Sequence, residues 1–211
     1  MKRLFGFALV LAFMFSGIAT VFAYEEISPE EAYAMLADDN PNAYILDVRT
    51  PAEWYWVGHP GVEKCYSLKC GEGEPALRGS FLEGKVIHIP WYLWEYVPQD
   101  KKYDRHIPNR FFDEEVVRQF DRGDIIIIMC RSGKRSVSAL EELKNPTHPA
   151  CKRLEELGFY DIHNMSGGFE GGKDNCCYRE KNEGWKNTGL PYNYSDNGIW
   201  TPQQKGRSLN P

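Results

Sequence analysis

Histidine is scarce in this 211-residue chain, and its five copies never fall at the spacing a zinc centre uses. His59, His88, His106, His148 and His163 form neither an H-x-x-x-H nor an H-E-x-x-H pattern. There is no C-x-x-C-H haem attachment, and no metal or other cofactor is expected. No internal repeat is visible, which excludes a tandem pair of like domains. No basic block exists either, and the formal net charge is −5, a poor match to nucleic acid.

What is present begins at the N-terminus. Lys2 and Arg3 precede an apolar run over residues 4–18, and Val21-Phe22-Ala23 puts small residues where a signal peptidase cuts. Residues 1–23 therefore read as a signal peptide, which predicts a periplasmic or secreted protein with no membrane contact after cleavage before Tyr24. No cysteine lies near that junction, so a lipid anchor is not expected.

Residues 24–192 read as a single domain, followed by an extended polar tail over 193–211. Ser28-Pro29-Glu30-Glu31 and Thr50-Pro51-Ala52-Glu53 are two capping boxes, each with proline at the first helical position. Residues 44–48, 86–89, 124–129 and 161–165 have strand character, and residues 111–120 have the pattern of an amphipathic helix. Strands alternating with helices predict an α/β fold, a central parallel sheet with helices on both faces. Ligands in such sheets sit beyond the carboxyl ends of the strands.

Cys130-Arg131-Ser132-Gly133-Lys134-Arg135 stands at such an end, after the run Ile125-Ile126-Ile127-Ile128-Met129 and before a helical pattern from Ser136. A turn rich in cations and a helix N-terminus stabilise a thiolate, so Cys130 is the candidate nucleophile. Glycine accepts positive φ, so Gly133 lets the turn aim its amides inward. Arg131 and Lys134 are candidates to bind an anion, and Arg135 either joins them or braces the turn against an acidic partner. Ser132 and Ser136 complete the candidate substrate-binding set. Asp47 and Arg49 read as a structural ion pair, because a catalytic role needs direct reach to the sulfur.

Cys130 and Arg135 are separated by four residues, one fewer than in the cysteine-dependent phosphatases that the arrangement also resembles. The shorter loop resembles that of the rhodanese (sulfurtransferase) family. Other pieces resemble that family in order: Asp47-Val48-Arg49 with Glu53-Trp54, Ile87-His88-Ile89-Pro90, Leu157-Gly158-Phe159, Gly167-Gly168-Phe169, and Trp185 with Gly189-Leu190-Pro191. The resemblance implies a rhodanese-like three-layer fold with insertions near residues 61–84, 145–149 and 172–184. It also implies two displacements through a Cys130 persulfide. The donor would be a small sulfur-containing anion such as thiosulfate or polysulfide. The acceptor would be cyanide, a thiol or a protein. A non-catalytic sulfane-sulfur carrier and a redox-regulated member of the family use the same cysteine and stay open.

Six cysteines in an exported chain point to disulfides, and a free Cys130 leaves five. Cys65 with Cys70 and Cys151 with Cys176 or Cys177 are the candidate pairs. An odd cysteine reaching Cys130 is the alternative. Zinc held by Cys65, Cys70, Cys176 and Cys177 fits no usual spacing. The aromatic group Trp91, Tyr92, Trp94 and Tyr96 reads as core or lid packing, with a wall of the site or a docking face as the alternative.

Overall fold

A computed structural model describes residues 24–38, 41–64, 77–133, 150–179 and 182–194. The first strand, β1 (Tyr24–Ile27), leads into α1 (Pro29–Ala37), then β2 (Ala43–Asp47) and α2 (Pro51–Val57). Short strands β3 (His59–Pro60), β4 (Glu63–Lys64) and β5 (Leu77–Arg78) precede β6 (Val86–His88). A hairpin follows, β7 (Tyr92–Val97) with β8 (Lys102–Pro108), then α3 (Phe112–Gln119) and β9 (Ile125–Met129). The described elements finish with α4 (Ala150–Glu156), β10 (Ile162–Met165) and β11 (Tyr192–Asn193).

Five of these strands form one parallel sheet in the order β1-β10-β9-β2-β6. The isoleucine run of β9 lies at its centre and is covered on both faces, which is why it is continuously apolar rather than alternating. Ile127 and Met129 join Ile45, α1, Trp54, Phe169 and Trp185 in one buried cluster. Ile126, Ile128 and Cys130 join Leu46, Val48, α3 and α4 in the other. Each fully buried isoleucine contributes roughly 1.5–3 kcal/mol by leaving water.

Both capping boxes form. Ser28 Oγ accepts from Glu31 N at 3.1 Å while Ser28 N donates to Glu31 Oε2 at 2.7 Å. Thr50 N donates to Glu53 Oε2 at 2.9 Å, and Thr50 Oγ1 accepts from Glu53 N at 3.4 Å. These reciprocal bonds satisfy amide groups that a helix start otherwise leaves unpaired.

Of the three segments expected as insertions, the one near residues 61–84 carries the antiparallel pair β4–β5. The excursion at 172–184 returns where it began: a Cβ on Gly184 would lie 2.3 Å from Gly171 N, so only glycine fits the junction. Trp185 is thereby set down in the core, its backbone N–H bonded to Gly168 O at 2.9 Å and its indole to Pro191 O at 2.8 Å. The segment expected to be a signal peptide, residues 145–149, the helical pattern expected from Ser136 and most of the expected tail lie outside the described residues. No helix among the described residues is long and apolar enough to cross a membrane.

Candidate active site

The carboxyl ends of β2, β6 and β9 adjoin, with Asp47 beside both His88 and Met129 in the sheet register. Asp47 and Arg49 are fully buried there. Arg49 Nε lies 2.9 and 3.0 Å from the two Asp47 oxygens, and Nη2 donates to Oδ2 at 2.6 Å. The same Nη2 reaches Gly58 O at 2.8 Å, and the guanidinium lies 4.2 Å from the centre of the Phe169 ring. A bidentate pair with further partners offsets the cost of burying two charges. Its placement agrees with a bracing role.

Trp54 lies between two imidazoles, stacked at 3.7 Å on His59 and 4.6 Å on His88. His88 Nε2 lies 2.8 Å from Arg49 O. A carbonyl only accepts, so Nε2 carries the proton. Burial is the main cause that pushes the His88 pKa down to about 4. Buried Arg49 Nη1, Trp54 Nε1 and His88 Nδ1 find no protein partner among the described residues.

Cys130 follows β9 and is fully buried at the end of the second cluster. The turn it begins is clamped by the Gly-Gly segment. Phe169 N donates to Cys130 O at 2.8 Å, and Glu170 N donates to Arg131 O at 2.9 Å. Gly168 has φ of 58°, and a Cβ there would stand 2.2 Å from Cys130 O. Gly133 has the positive φ expected of it, 77°, with the position of a Cβ 3.0 Å from Gly167 N. These two glycines let one turn lie directly on the other.

Arg131 is paired. Its Nε and Nη2 donate to the Glu170 carboxylate, the latter at 3.4 Å, and Glu53 Oε1 stands 3.9 Å from Nε. Arg131 thus faces acidic partners, while the role left open for Arg135 falls on a residue outside the described ones. Ser132 and Gly133 follow in the described turn, while Lys134, Arg135 and Ser136 lie outside the described residues.

The cysteines differ from expectation. Cys151 is fully buried in the first turn of α4, and Cys176 and Cys177 are exposed in the 172–184 excursion; all three are free thiols. The expected pairing of Cys151 with Cys176 or Cys177 is therefore corrected: Cys151 is a core residue beneath the sheet. Burial, followed by the charges of Glu26, Cys130 and Glu155, pushes its thiol pKa well up. Cys65 and Cys70 lie outside the described residues. Among the described residues, no group of three or more His, Cys, Asp or Glu is placed to hold a metal ion.

Of the aromatic group, Tyr92 is buried and Trp91 packs edge-on to Phe112 at 4.6 Å. Trp94 and Tyr96 are exposed on the β7–β8 hairpin, so packing accounts for only the first two. Two residues beside the turn escaped the sequence reading. Glu53 was read as a helix cap and a piece of the family pattern, and Glu170 as part of the stretch after Gly-Gly-Phe, and neither was placed beside the turn.

A parallel α/β sheet whose central strand ends in a clamped cysteine turn defines an α/β domain centred on a thiol. A family model for the Rhodanese-like domain matches residues 28–175. The chain therefore belongs to the rhodanese-like domain family, and its sulfurtransferase character holds at that family level. An uncharacterized protein of Rickettsia conorii is 27% identical over 170 residues, covering 81% of this chain and 98% of that protein. The crystal structure of Rv0390 from M. tuberculosis superposes with a TM-score of 0.56 at 29% identity, covering 82% of this chain and 99% of that one. The polysulfide-sulfur transferase homodimer of Wolinella succinogenes is a more distant likeness, with a TM-score of 0.43, 19% identity, and 83% and 82% coverage.

Proposed function

We propose that the protein is an exported sulfurtransferase that moves sulfane sulfur through a persulfide on Cys130. The reading rests on one observation above the others: Cys130 ends the central strand, on a turn whose first two carbonyls are both tied by Phe169 and Glu170 amides. That clamp holds the backbone of the turn at the carboxyl end of the sheet, the end at which α/β sheets bind ligands, and this supports the reading. Cys130 attacks the outer sulfur of a donor, and the persulfide then yields that sulfur to a thiol, cyanide or a protein acceptor. Asp47 and Arg49 hold the neighbouring strand end and take no part in bond making. Complete burial of Cys130 means that neighbouring side chains must move to admit a donor.

Intact mass of the mature protein after treatment with a sulfane-sulfur donor tests this directly. A gain of about 32 Da that maps to Cys130 and disappears on adding cyanide is expected. No adduct, or one that persists in Cys130→Ser, overturns the reading. The same spectrum tests export, since a chain isolated from the periplasm should begin at Tyr24.

The burial of Cys130 favours a second reading, a carrier or redox-regulated module that stores sulfur without turning over small acceptors. A stable adduct with no catalytic thiocyanate formation would select it.

A further inference from the structure

Cys176 and Cys177 are neighbours in sequence, free thiols and both exposed, and the Cys130 chemistry uses neither. Asp174 organises the loop that carries them. Its N–H donates to Tyr178 O at 2.7 Å, and its carbonyl accepts from Cys177 N at 2.9 Å. Its Oδ1 accepts from Cys176 N at 2.8 Å and from Tyr178 N at 2.9 Å. At the base of the loop, Arg179 Nη1 donates to Gly171 O at 2.8 Å and Asn182 Nδ2 to Gly172 O at 2.9 Å. The backbone is thus fixed on both sides of the pair. Cys177 is held at φ 68°, a left-handed conformation that a residue with a Cβ seldom adopts. Among the described residues the other such case is Lys101, in the turn between β7 and β8. The alternation that sends neighbouring side chains to opposite faces of a strand does not apply in such a turn.

Two thiols held together can close on each other or on an ion. Consecutive Cα atoms lie about 3.8 Å apart, short of the roughly 4.4–6.8 Å that disulfides ordinarily span. An ion between the sulfurs removes that constraint. At a metal–sulfur distance of about 2.3 Å it holds them roughly 3.8 Å apart in tetrahedral geometry and roughly 4.6 Å apart in linear geometry. The number of ligands then selects the ion. A structural zinc site takes four, and among the described residues no group of three or more His, Cys, Asp or Glu is placed to hold a metal. Monovalent copper is soft, prefers thiolates, and is satisfied by two of them in a line.

We infer that Cys176 and Cys177 form a two-thiolate binding site for monovalent copper. The ion replaces both thiol protons, so two protons are released, the complex carries one net negative charge, and no electron is transferred. Recognition rests on the softness and spacing of the two sulfurs, not on the charge of the loop, of which Glu180 and Lys181 lie outside the described residues. The site is independent of sulfur transfer at Cys130.

The reduced full chain is titrated without oxygen against the bathocuproine disulfonate complex of copper(I), and transfer is read as loss of the chelator's colour. Cys176→Ser and Cys177→Ser should each weaken this binding by roughly 10²–10⁴-fold, the advantage that a second tethered ligand confers. Asp174→Ala keeps both sulfurs but releases the two bonds to Oδ1. It should keep the stoichiometry and weaken binding about three- to tenfold, because the loop is no longer held ready. Excess Zn²⁺ should not displace the copper.

Uptake that is unchanged when both cysteines are replaced by serine places the ion on other thiols, Cys65 and Cys70 among them, and overturns the inference. Single variants that bind within about tenfold of wild type reduce the pair to independent thiols and overturn it equally. Circular dichroism checks that the serine variants fold. Should one fail, wild-type protein alkylated under native conditions, with the label mapped to Cys176 and Cys177, is the second measurement. It should have lost the uptake, and retention there is as damaging as in the variants.

Discussion

Acid should destabilise this fold through His88 in a way that a single substitution can isolate. His88 is fully buried, stacked 4.6 Å from Trp54, and donates from Nε2 to Arg49 O at 2.8 Å. A second proton would sit on Nδ1, which has no partner among the described residues. Burial is the largest cause of its fall from 6.5 to about 4; the Asp47 charge and the bond to Arg49 oppose it, and the charges of Arg49 and His59 add to it. Above pH 6.5 the imidazole is neutral in folded and unfolded chains alike, so it contributes no pH dependence. As pH falls through 6.5 the unfolded chain takes up a proton that the folded chain refuses until about pH 4. Stability is therefore lost across that window at about 1.4 kcal/mol per unit, approaching about 3 kcal/mol in total. His88→Gln keeps an N–H able to reach Arg49 O and removes the titration. Urea unfolding at pH 7, 6, 5 and 4 should show the variant weaker at pH 7 and gaining on wild type by about 3 kcal/mol at pH 4. Parallel stability curves for the two proteins would refute the reasoning.

Asp47→Asn leaves the Arg49 guanidinium buried with half its partner gone, and a loss of about 3–5 kcal/mol is expected in the same unfolding assay; less than about 1 kcal/mol would mean the pair is not desolvated. Gly168→Ala meets both a left-handed φ and a carbonyl 2.2 Å from the new carbon, so it should cost at least about 2 kcal/mol and slow persulfide formation in whatever folded protein remains. Alkylation with iodoacetamide at pH 8, read by peptide mapping, should label Cys176 and Cys177 promptly in native protein and reach Cys151 only after unfolding. Prompt native labelling of Cys151 would contradict its placement in the core.

The central sheet was legible because its strands are marked by physics that acts locally. A doubly covered strand has to be apolar throughout, as residues 125–129 are, and the two capping boxes declare their helices through side chains three residues apart. β1 was missed because Tyr-Glu-Glu-Ile at a sheet edge buries only its last residue well. The β7–β8 hairpin was missed for a related reason: exposed Trp94, Tyr96 and Tyr103 mimic core residues by composition, and only cross-strand pairing such as Tyr96 with Tyr103 explains them. Cysteine counting failed at Cys151, where the residue behaves as a small hydrophobe on a helix face. The cysteine turn at the end of the central strand was readable from its neighbours in sequence. The partners of Arg131 were not, since Glu53 lies 78 positions away and Glu170 lies 39 positions away.

Those distant partners converge on one dipeptide. Phe169 offers its ring to the Arg49 guanidinium and its N–H to Cys130 O, while Glu170 offers its carboxylate to Arg131 and its N–H to Arg131 O. The buried ion pair at the end of β2 and the turn after β9 are thus connected through two consecutive residues, next to Gly168, where a Cβ would stand 2.2 Å from Cys130 O. A displacement of Phe169 transmits to the backbone of Cys130 through that hydrogen bond. Arg49 is therefore linked to the Cys130 turn through packing, and Phe169→Leu, which keeps an apolar side chain but removes the aromatic face, separates the two links. With the N–H to Cys130 O retained, it should weaken stability by about 1–2 kcal/mol and leave the rate of persulfide formation within about threefold. A rate loss far beyond that, at unchanged stability, would show that the ring steers the turn itself.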